Sequence, residues 1–136
     1  MHDLHIDDFC KDAAQILLTL FQHFPQALTL YIEDICGPDT PDEFGLHSPR
    51  HMACFSAAMW LAEEGLIRLG QSVRQEAFED AVLTSRSFNY LVAPASSTLS
   101  TSRAKELREL MVKGSSEQFK SHFLKQLQNL TRTLRE

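Results

Sequence analysis

The sequence predicts a mainly helical α+β fold in which a small β-hairpin is followed by two C-terminal helices. Three observations lead to this prediction. Ser48-Pro49 and Gly65 bracket an apolar stretch, as the cap and the stop of a helix do. Residues 66–69 and 77–83 flank a polar turn, which is the pattern of a hairpin. Near the C-terminus, apolar residues recur every three or four positions, which is typical of an amphipathic helix.

Length and charge predict one domain with an extension. A chain of 136 residues suits a domain over residues 1–93 and a helical extension over 94–136 that serves dimerisation or docking. Residues 1–93 hold five Lys/Arg and fourteen Asp/Glu, a net charge of −9. Residues 94–136 hold eight Lys/Arg and four Asp/Glu, a net charge of +4. The first part is therefore poorly suited to a polyanion and well suited to a basic partner.

Cysteine usage and the N-terminus predict a cytoplasmic protein. The three cysteines are widely spaced and form no CxxC motif, so free thiols are expected rather than a disulfide framework. The first residues are acidic and lack the basic and apolar regions of a signal peptide. No apolar stretch approaches the length of a membrane span, so no membrane association is expected.

The first part of the chain predicts a long helix followed by two short elements. Asp7 or Asp8 can cap a helix that runs to Phe24, because Pro25 then ends it. Leu18 falls outside the apolar face of this helix and is expected to be exposed. Residues 27–36 predict a very short strand and then a short helix, and residues 37–48 predict a loop. The apolar face consists of Phe9, Ala13, Ile16, Leu17, Leu20, Phe21 and Phe24.

The central and C-terminal parts predict four further helices and a hairpin. A helix is expected over residues 49–64, then strands at 66–69 and 77–83, and then a helix over 85–92 that Thr84 caps. Residues 95–102 are small and polar and predict a connector. Helices follow over residues 103–113 and from Ser115 or Ser116 to about Leu134, where Ser115 and Gln118 have the spacing of a capping box.

The last helix carries an apolar seam that needs a partner surface. Two interpretations stand: the seam forms a dimer interface, or it docks on the first helix. A homodimer is favoured, because a helix that follows a compact domain must bury such a seam. The seam consists of Phe119, Phe123, Leu127, Leu130 and Leu134.

One stretch carries a family resemblance. Trp60-Leu61-x-x-Glu64-Gly65-Leu66-Ile67 is followed by Leu83-Thr84, and then by Phe88 and Leu91. This order resembles the winged helix-turn-helix family of bacterial-type regulators over roughly residues 10–92. Two features depart from the family pattern: Ser87 stands where a glycine is usual, and the loop between the second and third helices is expanded.

The resemblance implies a winged helix-turn-helix followed by two C-terminal helices, and a non-enzymatic transcription regulator that binds double-stranded DNA as a dimer. The third helix would enter the major groove, and the hairpin wing would contact the backbone or the minor groove. This role falls on Arg50, His51 and Ser56 of the helix and on Arg68 and Arg74 of the wing. The acidic charge favours an alternative, a winged-helix protein–protein interaction module that binds a basic partner and no DNA.

No metal, cofactor or catalytic residue is expected. His47, His51 and Cys54 are close in sequence, and Cys36 can approach them, as a zinc site requires. However, Cys54 lies on the apolar stripe of its helix and His47 precedes the helix cap, so a metal-dependent activity is only the third alternative. No nucleophile elbow or phosphate-binding glycine loop occurs.

Two further features of the central region have simple interpretations. The loop carboxylates Asp39, Asp42 and Glu43 are expected to be solvated rather than to act in acid–base chemistry. Trp60 lies one helical turn after Ala57 and two turns after Ala53, and either it forms an exposed contact patch with them or it packs in the core beneath the hairpin. The core position is favoured, because burial of an aromatic ring is strongly stabilising.

Overall fold

A computed structural model describes residues 4–95 and 98–132 of the chain. The fold is mixed α+β, with 61% helix, six helices and a small antiparallel sheet in the described part. This confirms the predicted class. The helices are α1 (Leu4–His23), α2 (Ile32–Cys36), α3 (Pro49–Glu63), α4 (Ser85–Val92), α5 (Arg103–Lys113) and α6 (Ser116–Arg132). The strands are β1 (Leu28–Tyr31), β2 (Ile67–Arg68), β3 (Ser72–Val73), β4 (Ala77–Leu83), β5 (Pro94–Ala95) and β6 (Thr98–Ser102).

Strand β4 is the centre of the main sheet. It pairs antiparallel with β1, β2 and β3, in the order β1-β4-β2. Arg68 on β2 lies opposite Val82, whereas Val73 on β3 lies opposite Ala77 at the other end of β4. The predicted polar turn thus contains a two-residue strand of its own.

The turn between β3 and β4 has a left-handed backbone at two consecutive residues. Arg74 and Gln75 have φ values of 53° and 61°, and the amide of Glu76 donates a hydrogen bond of 2.8 Å to the carbonyl of Val73. Two positive φ values are the mark of a type I′ turn, which glycine and asparagine normally occupy. The turn therefore holds two strained non-glycine residues.

Helix α1 is the central helix of the molecule. It contacts α2, α3, β4, α5 and α6, and its apolar residues are buried around most of its circumference. Leu18 is only 4% exposed, so the prediction that it faces solvent is wrong. The cause is the C-terminal pair of helices, which covers the side of α1 that a smaller domain would leave in water. The helix also begins at Leu4, before the predicted caps Asp7 and Asp8.

Local capping signals determine the ends of three helices. The Ser48 side chain accepts a hydrogen bond from the amide of His51, and Pro49 opens α3. Thr84 accepts from the amide of Ser87 at the start of α4. Ser115 and Gln118 each accept a hydrogen bond from the other's amide, at 3.1 and 3.0 Å, and so form the predicted capping box.

The segment between α4 and α5 differs from the prediction. The expected connector contains β6, which pairs with β5 as a two-stranded ribbon. The amide of Arg103 donates to the carbonyl of Ala93 and closes this ribbon against the end of α4. Small polar residues form strands here because the flanking helices bring the two segments together, rather than through their own propensity.

The apolar seam of α6 packs inside the chain. Phe119, Phe123, Leu127 and Leu130 are between 1% and 8% exposed and belong to the same buried cluster as the apolar residues of α1. For these four residues the dimer-interface interpretation is wrong, because their side chains are already covered by α1, α4 and α5. Leu134 lies outside the described residues. The predicted division at residues 93 and 94 and the homodimer itself stay predictions.

No helix in the described ranges combines the length and the apolar character that crossing a membrane demands.

Candidate functional site

Arg50 lies in the first turn of α3 and is bound to α1. Its two terminal nitrogens donate hydrogen bonds of 2.7 Å to the two carboxylate oxygens of Asp12, and its Nε lies 3.6 Å from Asp8 Oδ2. Hydrogen bonding to Asp12 raises the pKa of the Arg50 guanidinium above its ordinary value. A bidentate pair of this kind is geometrically specific. The charge of Arg50 is thus matched within the protein, and a phosphate would have to compete with two carboxylates.

His51 is buried beneath the β3–β4 turn. Its side chain is 0% exposed, and its Nε2 lies 2.9 Å from the carbonyl oxygen of Gln75. Because a carbonyl only accepts, Nε2 carries the proton in this contact. The ring of His51 therefore has no surface to offer to DNA in this structure, and the predicted DNA contact stays a prediction.

The other three predicted DNA contacts are exposed but do not form one patch. Ser56 lies on the exposed face of α3, Arg68 ends β2, and Arg74 lies in the β3–β4 turn. Arg68 lies opposite Val82 and Val73, the neighbour of Arg74, lies opposite Ala77, so the two arginines are near opposite ends of β4, about 17 Å or more apart at about 3.3 Å per residue. The exposed carboxylates of Glu79 and Asp80 lie on β4 between these ends. The hairpin therefore presents separated cations among acidic side chains.

An apolar groove lies between the N-terminal half of α1 and the exposed face of α3. It has a volume of about 670 Å³. Its apolar lining is Phe9, Ala53, Ala57, Met59 and Trp60, and its polar lining is His5, Asp12, Ser56 and Glu63. The side of α3 that would meet DNA in a winged helix thus offers mainly hydrocarbon and carboxylate.

Trp60 lines this groove. Its ring contacts Phe9 edge-to-face, with centroids 5.4 Å apart and planes at 84°. On its other side it borders a second depression lined by Leu124 and Leu127 of α6. The favoured interpretation, a core position beneath the hairpin, is wrong. Trp60 is half-buried between α1 and α6, because α6 takes up the space beside α3.

A second cluster joins the long loop to the start of α3. Asp39 Oδ2 lies 2.9 Å from His47 Nδ1 and 4.0 Å from His51 Nδ1. The carboxylate also accepts hydrogen bonds from the hydroxyl and the amide of Ser48, and these contacts, with His47, lower the pKa of Asp39 to about 2. The prediction of a solvated loop carboxylate is wrong for Asp39, which anchors the loop on α3. Asp42 is exposed and accepts from the amides of Phe44 and Leu46.

The cysteines do not join this cluster. Cys54 is 0% exposed in the core, and burial raises the pKa of its thiol well above the ordinary value. Cys36 is half-buried at the end of α2, with its Sγ facing the carbonyl of Gly37. The sequence thus identified two of the three polar members, His47 and His51. It missed Asp39, whose only signal is its place in the loop that leads to Ser48.

Comparisons of this chain with protein-family models, with curated proteins and with solved structures find no match. Its function is therefore inferred from the side chains that α3, its neighbouring loop and the hairpin bring together.

Proposed function

We propose that this chain is a winged-helix protein–protein interaction module whose groove between α1 and α3 binds a basic amphipathic helix of a partner. The winged-helix part of the proposal is supported by the order of elements from α1 to α4 and by a sheet centred on β4, as the sequence resemblance implies. One observation carries the functional part. The exposed face of α3 lines an apolar groove and lacks free cations in the described part of the chain.

Electrostatics argue against DNA as the main partner. Affinity for a duplex depends on cations that replace counterions at the phosphates. Arg50 is paired with Asp12, His51 is buried, and Arg68 and Arg74 stand apart on an acidic hairpin. A DNA-binding dimer remains the alternative function, in which two copies would combine their exposed arginines.

The chemistry of the groove defines the partner. Phe9, Met59 and Trp60 provide an apolar floor that accepts leucine-sized side chains, and methionine adapts readily to different shapes. Glu63 lines the same groove, and Glu64 follows at the end of α3. An amphipathic helix that places apolar residues in such a groove and lysines beside its carboxylates satisfies both surfaces. The net charge of −9 in residues 1–93 attracts such a helix from a distance.

Fluorescence of Trp60, the one tryptophan in the chain, tests the groove directly. The probe is a short synthetic amphipathic helix of leucine and lysine, and its counterpart of leucine and glutamate is the control. We expect the basic peptide to change the emission of Trp60 saturably at micromolar concentrations, and the acidic peptide to leave it unchanged. Equal responses to both peptides, or none to either, would contradict the proposal.

A pair of charge-matched variants separates groove binding from general attraction. Ser56→Arg adds a long cation to the groove lining, whereas Asn89→Arg adds the same charge on the exposed side of α4. We expect Ser56→Arg to lower the affinity for the basic peptide about tenfold or more, and Asn89→Arg to have little effect on that affinity. Equal losses would show that only the net charge matters.

Titration with duplex DNA tests the alternative function. At low salt, where phosphate contacts are strongest, we expect no rise in the anisotropy of a labelled mixed-sequence duplex at micromolar protein. Saturable binding that Arg68→Ala and Arg74→Ala remove would instead establish the DNA-binding regulator and overturn the proposal.

A further inference from the structure

The cluster of Asp39, His47 and His51 has a feature that ordinary packing does not explain. His51 Nδ1 is fully buried and has no hydrogen-bond partner among the described residues. It faces Asp39 Oδ2 at 4.0 Å, which is beyond hydrogen-bond distance. Because Nε2 of the same ring donates to the carbonyl of Gln75, a neutral ring carries its lone pair on Nδ1. A buried acceptor without a donor is costly, and a carboxylate oxygen lies 4.0 Å from it.

We propose that Asp39, His47 and His51 form a binding site for a divalent transition metal ion of the zinc type, with both imidazoles binding through Nδ1. One ligand atom of each residue lies within 4.8 Å of the other two. Two imidazoles and one carboxylate are a donor set that zinc and similar ions accept, and three protein ligands leave one position for water. This inference is independent of the groove between α1 and α3.

Both imidazoles have partners on the side away from the proposed ion. His51 Nε2 donates to Gln75, and His47 Nε2 lies 3.6 Å from Glu76 Oε2. Ligating histidines commonly direct their second nitrogen at a carbonyl or a carboxylate, which fixes the ring and the tautomer. The Gln75 carbonyl and the Glu76 carboxylate both belong to the segment that the left-handed residues Arg74 and Gln75 shape, so this strained backbone acquires a positioning role.

The carboxylate is held in a similar way. Asp39 Oδ1 accepts a hydrogen bond of 2.5 Å from the Ser48 hydroxyl, and Oδ2 accepts one of 3.2 Å from the Ser48 amide. Ser48 also caps α3, three residues before His51. Ser48 thus links Asp39 on the loop to His51 on α3. This link limits the rearrangement that ion binding requires.

Ion binding requires a defined movement of His47. The two imidazole rings are stacked, with centroids 3.9 Å apart and planes at 10°, so their in-plane lone pairs do not converge. Ligand atoms around tetrahedral zinc stand about 3.4 Å apart, given metal–ligand distances near 2.1 Å. His47 lies on the loop and can turn out of the stack, whereas His51 is fixed on α3. The ion then replaces the hydrogen bond between His47 Nδ1 and Asp39.

Zinc uptake by protein without an affinity tag tests the site. Full-length chain, stripped of metal, is titrated with Zn²⁺ in competition with a chromophoric chelator. We expect one ion per chain with micromolar or tighter affinity, and a raised melting temperature in the presence of zinc. The reference protein carries both Asp39→Asn and His47→Gln, which remove two of the three ligands. Zinc binding by the parent no tighter than that of this reference protein would overturn the proposal.

Single variants identify the ligands. Asp39→Asn, His47→Gln and His51→Gln are each expected to weaken zinc binding by about 100-fold or more, because each removes a direct ligand. Loss of a residue that only orients a ligand costs about 10–100-fold. His23→Gln, which alters an exposed histidine at the end of α1, is expected to bind as the parent does. Circular dichroism checks each fold, and His47→Gln on the loop decides the result if the buried His51→Gln does not fold. Parent-like affinity of His47→Gln would contradict the proposal.

Two further readouts test the binding mode. Glu76→Gln keeps the shape of an exposed side chain but removes the negative charge beside His47 Nε2. It is expected to weaken zinc binding about tenfold. Proton–nitrogen correlation spectra of the imidazoles should show zinc-dependent shifts at Nδ1 of His47 and His51, with Nε2 protonated in both. Coordination through Nε2, or shifts confined to other histidines, would contradict the assigned site.

Discussion

The guanidinium of Arg50 and the carboxylate of Asp12 form a bidentate pair, with two hydrogen bonds of 2.7 Å that join the start of α3 to the middle of α1. The partners differ in environment. The Asp12 side chain is 2% exposed, whereas that of Arg50 is 37% exposed. Loss of the arginine therefore leaves a buried charge, but loss of the carboxylate leaves a cation that can turn toward water.

This asymmetry predicts unequal effects of truncation on the free energy of unfolding. We expect Arg50→Ala to lower it by about 3 kcal/mol, because the Asp12 carboxylate then remains buried without its main partner. Asp12→Ala should cost less, about 1–2 kcal/mol, and the double variant should cost less than the sum. Urea unfolding of the four proteins measures all three values. Arg68→Ala, at an exposed site, is the control and should stay within about 0.5 kcal/mol. Additive single effects would show that the pair is not coupled.

Arg86 lies at the junction of three helices, and its replacement should lower the free energy of unfolding. It lies on α4 and donates to the carbonyls of Glu64 at the end of α3, at 2.9 Å, and of Leu130 on α6. Cations stabilise helix C-termini, and the forked guanidinium reaches two carbonyls at once. We expect Arg86→Lys to cost about 1 kcal/mol and Arg86→Met about 2–3 kcal/mol of unfolding free energy.

The matched control for Arg86 is Lys105→Met, which removes one positive charge from an exposed position on α5. Its unfolding free energy should match that of the parent within about 0.5 kcal/mol. If Arg86→Lys were as stable as the parent, one positive charge would be enough for this stabilisation. The two hydrogen bonds of the forked guanidinium would then contribute nothing further to it.

The sequence predicted best those elements whose ends depend on local chemistry. Ser48, Pro49 and Gly65 define α3 within a turn of the helix, because a cap, a proline and a left-handed residue act on their own neighbours. The ribbon of β5 and β6 was missed, since two short polar segments become strands only when α4 and α5 bring them together. The burial of Leu18 was missed for a related reason. A prediction from one apolar face assumes that the opposite face of the helix is in water, whereas α5 and α6 cover that face of α1.

Because the apolar seam of α6 packs inside the chain, a substitution in it should lower the stability of the fold rather than disrupt a dimer. Phe123 is 1% exposed within the core that α1 and α6 share. We expect Phe123→Ala to lower the unfolding free energy by about 3–5 kcal/mol, with no change in the mass measured by light scattering. Val112→Ala, at a residue 74% exposed on α5, should be nearly neutral. A lower mass with unchanged stability would restore the dimer-interface interpretation.

The candidate site was harder to predict than the fold. Asp12 lies 38 residues before Arg50, and Gln75 lies 24 residues after His51, so their contacts depend on how α1 and the hairpin pack on α3. The sequence placed a cation and a histidine on a helix, and such positions suit DNA contact. Only the packing shows that one is neutralised and the other enclosed. Asp39 differs from the solvated carboxylate that its loop position predicts for the same reason, because its partners His47 and Ser48 come from the far end of its loop.

The three thiols differ in exposure and predict a clear order of reactivity. Burial raises the pKa of Cys10 to about 11 from an ordinary value of 9.0, and burial also raises the pKa values of Cys54 and Cys36. Since the thiolate is the reactive form, only about one Cys10 thiol in a thousand is ionised at pH 8. Cys10 and Cys54 are 0% exposed, whereas Cys36 is half-buried.

We therefore expect Cys36 to be alkylated first in the native protein, with Cys10 and Cys54 modified only as the fold opens. Iodoacetamide labelling at pH 8, followed by peptide mass spectrometry, measures the three rates, and protein unfolded in guanidinium gives the reference in which all three react alike. The raised pKa of Cys10 also means that stability declines as pH rises from about 9 toward 11, because the unfolded thiol ionises first. Cys10→Ala should flatten this decline. Labelling of Cys10 as fast as Cys36 would show that α1 does not shield its thiol.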